Sequence, residues 1–494
     1  MNKIKSIGYV AGSKLAAFVM GITRGFLVPG YLGPQLYGVI GLLKLVKIIL
    51  GFTAFGMDQA YFRLSLEYGG SDRDESRKKA LEDNVFTFLF CSALIGMILT
   101  VLLPFILKTS DAGLQKIMIF CFAVTGVQHF FQFTGNFFFK TMHIKKEFRF
   151  ISLMNIVQPL IALILILAMV FRWKIYAVFI ADLVAVAAVQ ILYFRNAGIM
   201  PELRIHLSEF RKTFRYALPF FIAGICFYLF RFTDRTVIAS FLTLRELGLY
   251  TFAIGIAENT RMLSVAIDEV FSPFMVEKIS KADNLRSLSG EITSYTYTLL
   301  FITTAVSLLS VFFCPFIKLI LPKYADALLV LKILLINIIP RTFILYQILL
   351  LSSPRVNRQN HINIAMTVSG IINVVLSIFL IKRGYGITGV VAATFLSQIL
   401  MAAFYLITSG KYYLAGKKTV FYFKISVTMA IMIIYCYLQR MDAAVTLKNF
   451  THDSVAFLAL TGALAFIFKK EITGIISKFK EKMISTEKSG EEVT

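Results

Sequence analysis

The chain has 494 residues, of which 57% are hydrophobic and only 16% charged, well below the quarter charged that is usual in a soluble domain. That balance excludes a water-soluble globular protein. A net charge of +23 raises nucleic-acid binding, but the Lys and Arg residues mark the ends of apolar runs and form no clustered basic face, so that class is excluded too.

Apolar runs of eighteen or more residues recur from the N-terminus to about Lys469. Each is long enough to cross the hydrocarbon as a helix, which takes ~20 residues. A helix satisfies its own backbone polar groups, which lipid cannot do. The expected fold is an all-α polytopic membrane protein. Its fourteen passes are predicted at 6–31, 36–58, 82–107, 114–139, 150–171, 175–194, 213–241, 247–272, 290–314, 326–351, 361–381, 386–409, 419–438 and 451–468.

In chain order, Lys3 and Lys5 lead into an apolar run with no convincing small-residue cleavage site, which reads as the first pass. That pass carries Lys14 and Arg24 on one broad face, Arg24 in its outer half. Pass two carries Lys44 and Lys47. On a continuous helix Lys47, Gly51, Ala54 and Asp58 share a face. Pass four carries Gln128, Gln132 and Asn136 at a spacing of four, with His129 beside them. Asp182 stands alone on pass six. Pass seven places Arg231, Asp234 and Arg235 inside an apolar run, and Arg231 and Asp234 are spaced to pair. Pass eight carries Glu258, Arg261, Asp268 and Glu269, and pass ten Lys332 and Arg341 around Pro340. The cysteines (Cys91, Cys121, Cys226, Cys314, Cys436) all lie in apolar runs without metal-ligand or CxxC spacing, so no metal site, cofactor or disulfide framework is expected.

With the N-terminus inside, the inner segments hold 30 of the 51 Lys and Arg residues and the outer ones 11, the rest lying within passes. The positive-inside rule then puts both termini in the cytoplasm, and the basic excess is largely an orientation signal. Outer loops are short, and no soluble domain is inserted. A weak internal repeat is also visible. At an offset of 210, Leu32, Gly38, Val39 and Ile40 align with Leu242, Gly248, Leu249 and Tyr250, and Arg24 aligns with Asp234.

Four turn motifs occur in order along this frame. The first is Leu32-Gly33-Pro34-Gln35-Leu36-Tyr37-Gly38. The second is Leu218-Pro219, then Asp234-Arg235, then Leu247-Gly248-Leu249-Tyr250. Lys323-Tyr324-Ala325-Asp326-Ala327 and Tyr385-Gly386-Ile387-Thr388-Gly389 follow. In these residues the chain resembles the Wzx-type polysaccharide flippases of the MOP exporter superfamily. The resemblance implies two six-helix lobes (1–195 and 196–410), appended passes thirteen and fourteen (411–470) and a cytoplasmic tail (471–494). It also implies alternating access for a polyprenyl-pyrophosphate-linked oligosaccharide in the bacterial inner membrane, with no enzymatic activity. Membrane lipid and an envelope polymerase or glycosyltransferases are the partners it suggests.

A charge at the bilayer centre costs at least ~2.5–3.5 kcal/mol, so the intramembrane charges are the candidate site. Arg24, Lys44, Lys47, Arg235, Lys14 and Arg261 are candidates for a cationic cavity that receives a pyrophosphate, since Arg donates bidentately to phosphate oxygens. Asp58, Asp234, Glu258 and Asp268 are candidates for ion coupling or charge balance. Gln128, Gln132 and Asn136 are candidates for a sugar path. The competing use of the same charges is internal pairing: Arg231 with Asp234, and Arg261 with Glu258 or Asp268. A lipid II flippase and a cation-coupled drug exporter share the frame. A glycosyltransferase or polymerase calls for a large outer loop or a soluble catalytic domain. With Arg231 counted among the cations and Asp182 and Glu269 among the acids, the cations exceed the acids by one, so charge alone separates these cargoes poorly.

Overall fold

The structure is a computed structural model that describes residues 3–68, 72–107, 109–282, 284–353, 355–414, 418–439, 447–469 and 473. Of the expected tail, only Thr473 lies among them. All regular structure in the described residues is helical. The chain runs α1 (Lys3–Leu50), α2 (Met57–Glu67), α3 (Asp72–Ile106), α4 (Ala112–Ile144), α5 (Phe148–Ala197), α6 (Leu207–Arg231), α7 (Thr233–Phe241) and α8 (Leu244–Lys281). It continues through α9 (Ser289–Phe312), α10 (Cys314–Ile320), α11 (Leu328–Ser352), α12 (Gln359–Lys382), α13 (Gly386–Tyr413), α14 (Lys418–Leu438) and α15 (Leu447–Ile467).

Ten of these stretches are long and apolar enough to span a membrane. Two carry a pair of passes each. A straight helix the length of α1 would reach about 72 Å, more than twice the hydrocarbon thickness, so it must turn. It does so at Gly33 (φ 72°, ψ 170°), with Pro34 following. α5 turns likewise at Lys174 (φ 43°, ψ −119°). α8, with its mid-helix charges, and the shorter α15 complete the fourteen expected passes among the described residues.

The helices form two compact units, Met1–Phe252 and Ala253–Thr494. Helix ends in the first unit follow ordinary capping chemistry. Asp111 accepts from the amides of Gly113 (2.8 Å) and Leu114 (3.2 Å) to start α4. Thr243 and Glu246 bond reciprocally, the Glu246 carboxylate taking the Thr243 amide at 2.9 Å, and this capping box starts α8.

Two passes of this unit are broken where the sequence reads as continuous helix. After α1, a short 3₁₀ turn (Gly51–Ala54) leads to Phe55 (φ 48°, ψ 28°) and Gly56 (φ 74°, ψ 7°), both left-handed, before α2 begins. The expected face Lys47–Gly51–Ala54–Asp58 therefore does not exist, because a constant 3.6-residue turn cannot be carried through two left-handed residues. Aromatic rings fill the bend: Phe55 stacks on Phe221 at 4.6 Å, and Phe52 meets Tyr228 edge-on at 5.3 Å. The second break, at Phe232 (φ −126°, ψ −1°), falls in the chain between Arg231 and Asp234.

The turn motif around Gly38 and that around Gly248 meet directly. A methyl group on Gly38 would fall on the carbonyl oxygen of Leu244, and one on Gly248 would fall on the carbonyl oxygen of Pro34. Pro34 and Leu244 are themselves equivalent at the offset of 210, as are Gly41 and Thr251, which also touch. Such reciprocal contact arises where a local two-fold axis passes through the crossing. It gives the weak sequence repeat a physical meaning, since only glycine lets two backbones approach so closely.

In the second unit, buried hydroxyls and amides join neighbouring helices. Ser369 donates to the Ser397 carbonyl at 3.0 Å, and Tyr405 to the Ile362 carbonyl at 3.0 Å. Lys332, 3% exposed, donates to the carbonyl of Gln439 at 2.7 Å, just beyond the C-terminus of α14, the helix end that favours a cation.

Candidate functional site

The site in the first unit is built by three outer turns and the middle of two passes. Arg24 lies nine residues before the Gly33 turn, about 13 Å along the helix. Asp182 lies eight residues past the Lys174 turn, at about 12 Å. Matching depth lets them meet: the Arg24 guanidinium donates to both carboxylate oxygens of Asp182, each at 2.6 Å. This is the fork-to-fork geometry that Arg makes with carboxylate or phosphate. The pair is not sealed; the side chains are 32% and 23% exposed. The sequence reading of Asp182 as solitary, and of Arg24 as the cation without an obvious partner, is thus corrected. The available signal was their equal distance from outer turns on separate passes.

Lys44 and Lys47 sit farther in, near mid-membrane. The Lys44 side chain is exposed, yet it lies within the electric field of Arg24, Arg235, Asp182 and Lys47. Its ammonium therefore lies near these charges. Lys47 feels Asp182 and Arg24 and donates to the side-chain oxygen of the buried Gln128 on α4. Four of the six expected cations (Arg24, Lys44, Lys47 and Arg235) thus come together, with Asp182 as the carboxylate that acts on both lysines.

Arg235 joins them from α7. Its guanidinium carbon lies 5.1 Å from the centre of the Phe232 ring, and its Nε is buried without a hydrogen-bond partner. The neighbouring Asp234 serves a different purpose. It is 5% exposed, accepts the Arg235 backbone amide at 2.7 Å and takes the hydroxyl of Tyr250. It thereby ties the short α7 to α8. A Tyr250→Phe substitution leaves a buried carboxylate short of a donor and is expected to cost about 1–3 kcal/mol, read as a lower unfolding midpoint in detergent.

The expected sugar-path residues divide. Gln128 belongs to the cationic cluster through Lys47. Asn136, two turns further in, donates to Asp58 at 3.4 Å. Gln132 is exposed and joins neither. The bend at Phe55–Gly56 is what carries Asp58 to Asn136, a relation no helical wheel could supply.

The second unit holds a separate charged group. Glu258 accepts from Arg261 Nε at 3.0 Å and forms an ion pair with Arg341 at 3.1 Å. The pairing of Arg261 with Glu258 is one that spacing allows. The part of Arg341 is not, since it comes from α11, 83 residues from Glu258 in sequence. Asp268 accepts the hydroxyl of Tyr295 at 2.7 Å. The side chain of Lys14 lies outside the described residues.

Comparison with known proteins adds the following. A family model described as polysaccharide biosynthesis protein matches residues 31–299. No curated protein matches in sequence. Among solved structures, the lipid II flippase MurJ in an inward closed conformation superimposes with a TM-score of 0.72 at 15% identity, covering 93% of this chain and 98% of that one. An inward-facing multidrug resistance MATE family transporter of the MOP superfamily follows at 0.60 and 13% identity, covering 85% and 96%. A MOP superfamily transporter from Pyrococcus furiosus, whose binding pocket is described as having reverse polarity, superimposes at 0.50 and 12% identity, covering 86% and 96%. At such identities the likeness is one of fold, and the fold and the family match agree. The chain is a multi-pass membrane protein of the polysaccharide biosynthesis protein family, built on the fold of the MOP superfamily transporters.

Proposed function

We propose that this protein is a flippase that moves a polyprenyl-pyrophosphate-linked oligosaccharide from the cytoplasmic to the outer leaflet of the bacterial inner membrane by alternating access. The observation that carries the reading is the grouping of Arg24, Lys44 and Lys47 about Asp182, with Arg235 acting on Lys44. Four cations against two acids, Asp182 among them and Asp234 beside Arg235, held at a depth where each charge is costly, suit a ligand with several negative oxygens. They oppose a cationic drug, which like charges repel. Arg contributes planar donors and Lys point charges. The exposed Lys44 and the partly exposed Arg24–Asp182 pair leave room for a head group to reach them. The polysaccharide family favours a sugar cargo. Lipid II offers the same pyrophosphate, so this cluster does not separate the two.

The test uses the full chain in vesicles with a fluorescent polyprenyl-pyrophosphate oligosaccharide, with lipid II and a cationic dye as parallel cargoes. The oligosaccharide is expected to cross fastest. Arg235→Ala removes a charged donor and is expected to reduce its transport at least about tenfold, the worth of a charge-assisted hydrogen bond. Faster transport of lipid II or of the dye, or unchanged transport by Arg235→Ala, would overturn the assignment.

A further inference from the structure

We infer that Asp182 is the resident counter-anion of Arg24, exchanged for the pyrophosphate of the cargo on each cycle, and that it sets both the grip on the cargo and the speed of its release. This rests on the cluster being the pyrophosphate site.

Three features support the exchange. First, Asp182 occupies Arg24 in the bidentate geometry a phosphate would use, both contacts at 2.6 Å. Carboxylate and phosphate oxygens compete for the same two N–H vectors of one planar guanidinium. Second, the pair is reachable, with roughly a third of the Arg24 side chain and a quarter of the Asp182 side chain exposed. A pair meant only to fasten α1 to α5 would gain from being closed off, and this one is not. Third, Asp182 lies within the fields of Lys44 and Lys47. When a pyrophosphate takes Arg24, the displaced carboxylate keeps cationic company, ready to recapture the guanidinium.

A site made of four cations alone would bind a pyrophosphate tightly and part with it slowly. A transporter needs both steps. An internal anion that competes for one of the four cations weakens binding, and the same competition drives departure. Asp182 is accordingly a positioning residue that acts through Arg24 and does not itself touch the cargo.

The expected signature is a split between affinity and turnover. Asp182→Asn loses the charge, and its amide has a single oxygen to accept with, so Arg24 is left open. Binding of polyprenyl pyrophosphate to the purified full chain is expected to tighten about tenfold, the difference between a charge-assisted and a neutral contact. Maximal transport in vesicles is expected to fall by a similar factor, while KM falls with it. Asp182→Glu restores the charge and is expected to return both quantities toward wild type. A role confined to holding α1 against α5 predicts the opposite for Asp182→Asn: weaker binding, or binding unchanged with a lower unfolding midpoint. Either result overturns the inference. A measurement on the wild-type protein stands if Asp182→Asn does not fold: with isotope-labelled aspartate, polyprenyl pyrophosphate is expected to shift a carboxylate band in the infrared difference spectrum, and no shift overturns the exchange. If wild-type protein does not bind polyprenyl pyrophosphate at all, the pyrophosphate reading itself falls and the exchange with it. That outcome is distinct from normal wild-type binding with an unaltered Asp182→Asn variant.

Discussion

Gly38→Ala is expected to prevent accumulation of a monodisperse protein, although it adds a single methyl group to the chain. That methyl would lie on the carbonyl oxygen of Leu244, with the amide of Gly248 close behind. Both are backbone atoms of α8, fixed by helical hydrogen bonding, so no rotamer change can relieve the overlap. The helices must separate, and separation also opens the reciprocal contact of Gly248 with Pro34. Losses above ~4–5 kcal/mol are exceptional for single substitutions, and a forced backbone collision at a helix crossing belongs with them. Gly248→Ala is expected to behave alike because the contact is reciprocal.

Two other glycines calibrate the effect. At Gly41 the obstruction is the side chain of Thr251, which can turn away, so Gly41→Ala should cost about 1–3 kcal/mol, the range of ordinary overpacking. At Gly255 nothing lies within 4 Å, so Gly255→Ala should be neutral or slightly stabilising through helix propensity. Size-exclusion profiles and unfolding midpoints of the four variants check the order. A monodisperse, stable Gly38→Ala protein would show that the two turns do not cross backbone to backbone.

The crossing also shows what kind of information a sequence holds. The fourteen passes were legible because each is a long apolar run, and length against the bilayer decides the matter locally. The double passes were legible too, since Gly33-Pro34 and the Arg172–Lys174 region interrupt hydrophobicity where α1 and α5 turn. The breaks at Phe55–Gly56 and Phe232 were not. Both lie within apolar sequence, and Phe55 takes up a left-handed conformation that its residue type does not announce. The face that a helical wheel draws through Lys47 and Asp58 failed for that reason. For the site, residue type and depth were sufficient to collect Arg24, Lys44, Lys47 and Arg235. Partners on distant passes were not legible from spacing. Asp182 meets Arg24 across 158 residues of sequence, and Arg341 meets Glu258 across 83. A closer comparison of distance to the nearest outer turn would have suggested the first of these. No comparable signal pointed to the second, because Glu258 and Arg341 lie on separate passes, α8 and α11, with no outer turn marking a shared depth.

The Glu258 group makes the second large prediction. Its carboxylate is shared by Arg261 and Arg341, whose side chains are only 13% and 12% exposed. Removing one partner of a buried pair strands the other charge, at a cost of ~3–5 kcal/mol; here two guanidinium groups would be stranded together. Glu258 itself is 22% exposed, so some solvent relief is available, and the loss for Glu258→Gln should fall near the lower end, about 3 kcal/mol. Its sign is opposite to that expected in the first unit. Asp182→Asn opens a cation to the cargo and changes binding, whereas Glu258→Gln loosens the packing of α8 against α11 and changes stability. Single replacements Arg261→Gln and Arg341→Gln should each cost less than Glu258→Gln, because the carboxylate then keeps one partner. The triple replacement with neutral side chains of similar size should recover much of the loss, as buried ion groups often can be exchanged for uncharged packing. Unfolding midpoints of the five proteins in one detergent test this ordering. If Glu258→Gln is as stable as wild type but transports poorly, the group serves transport and not the packing of its own unit.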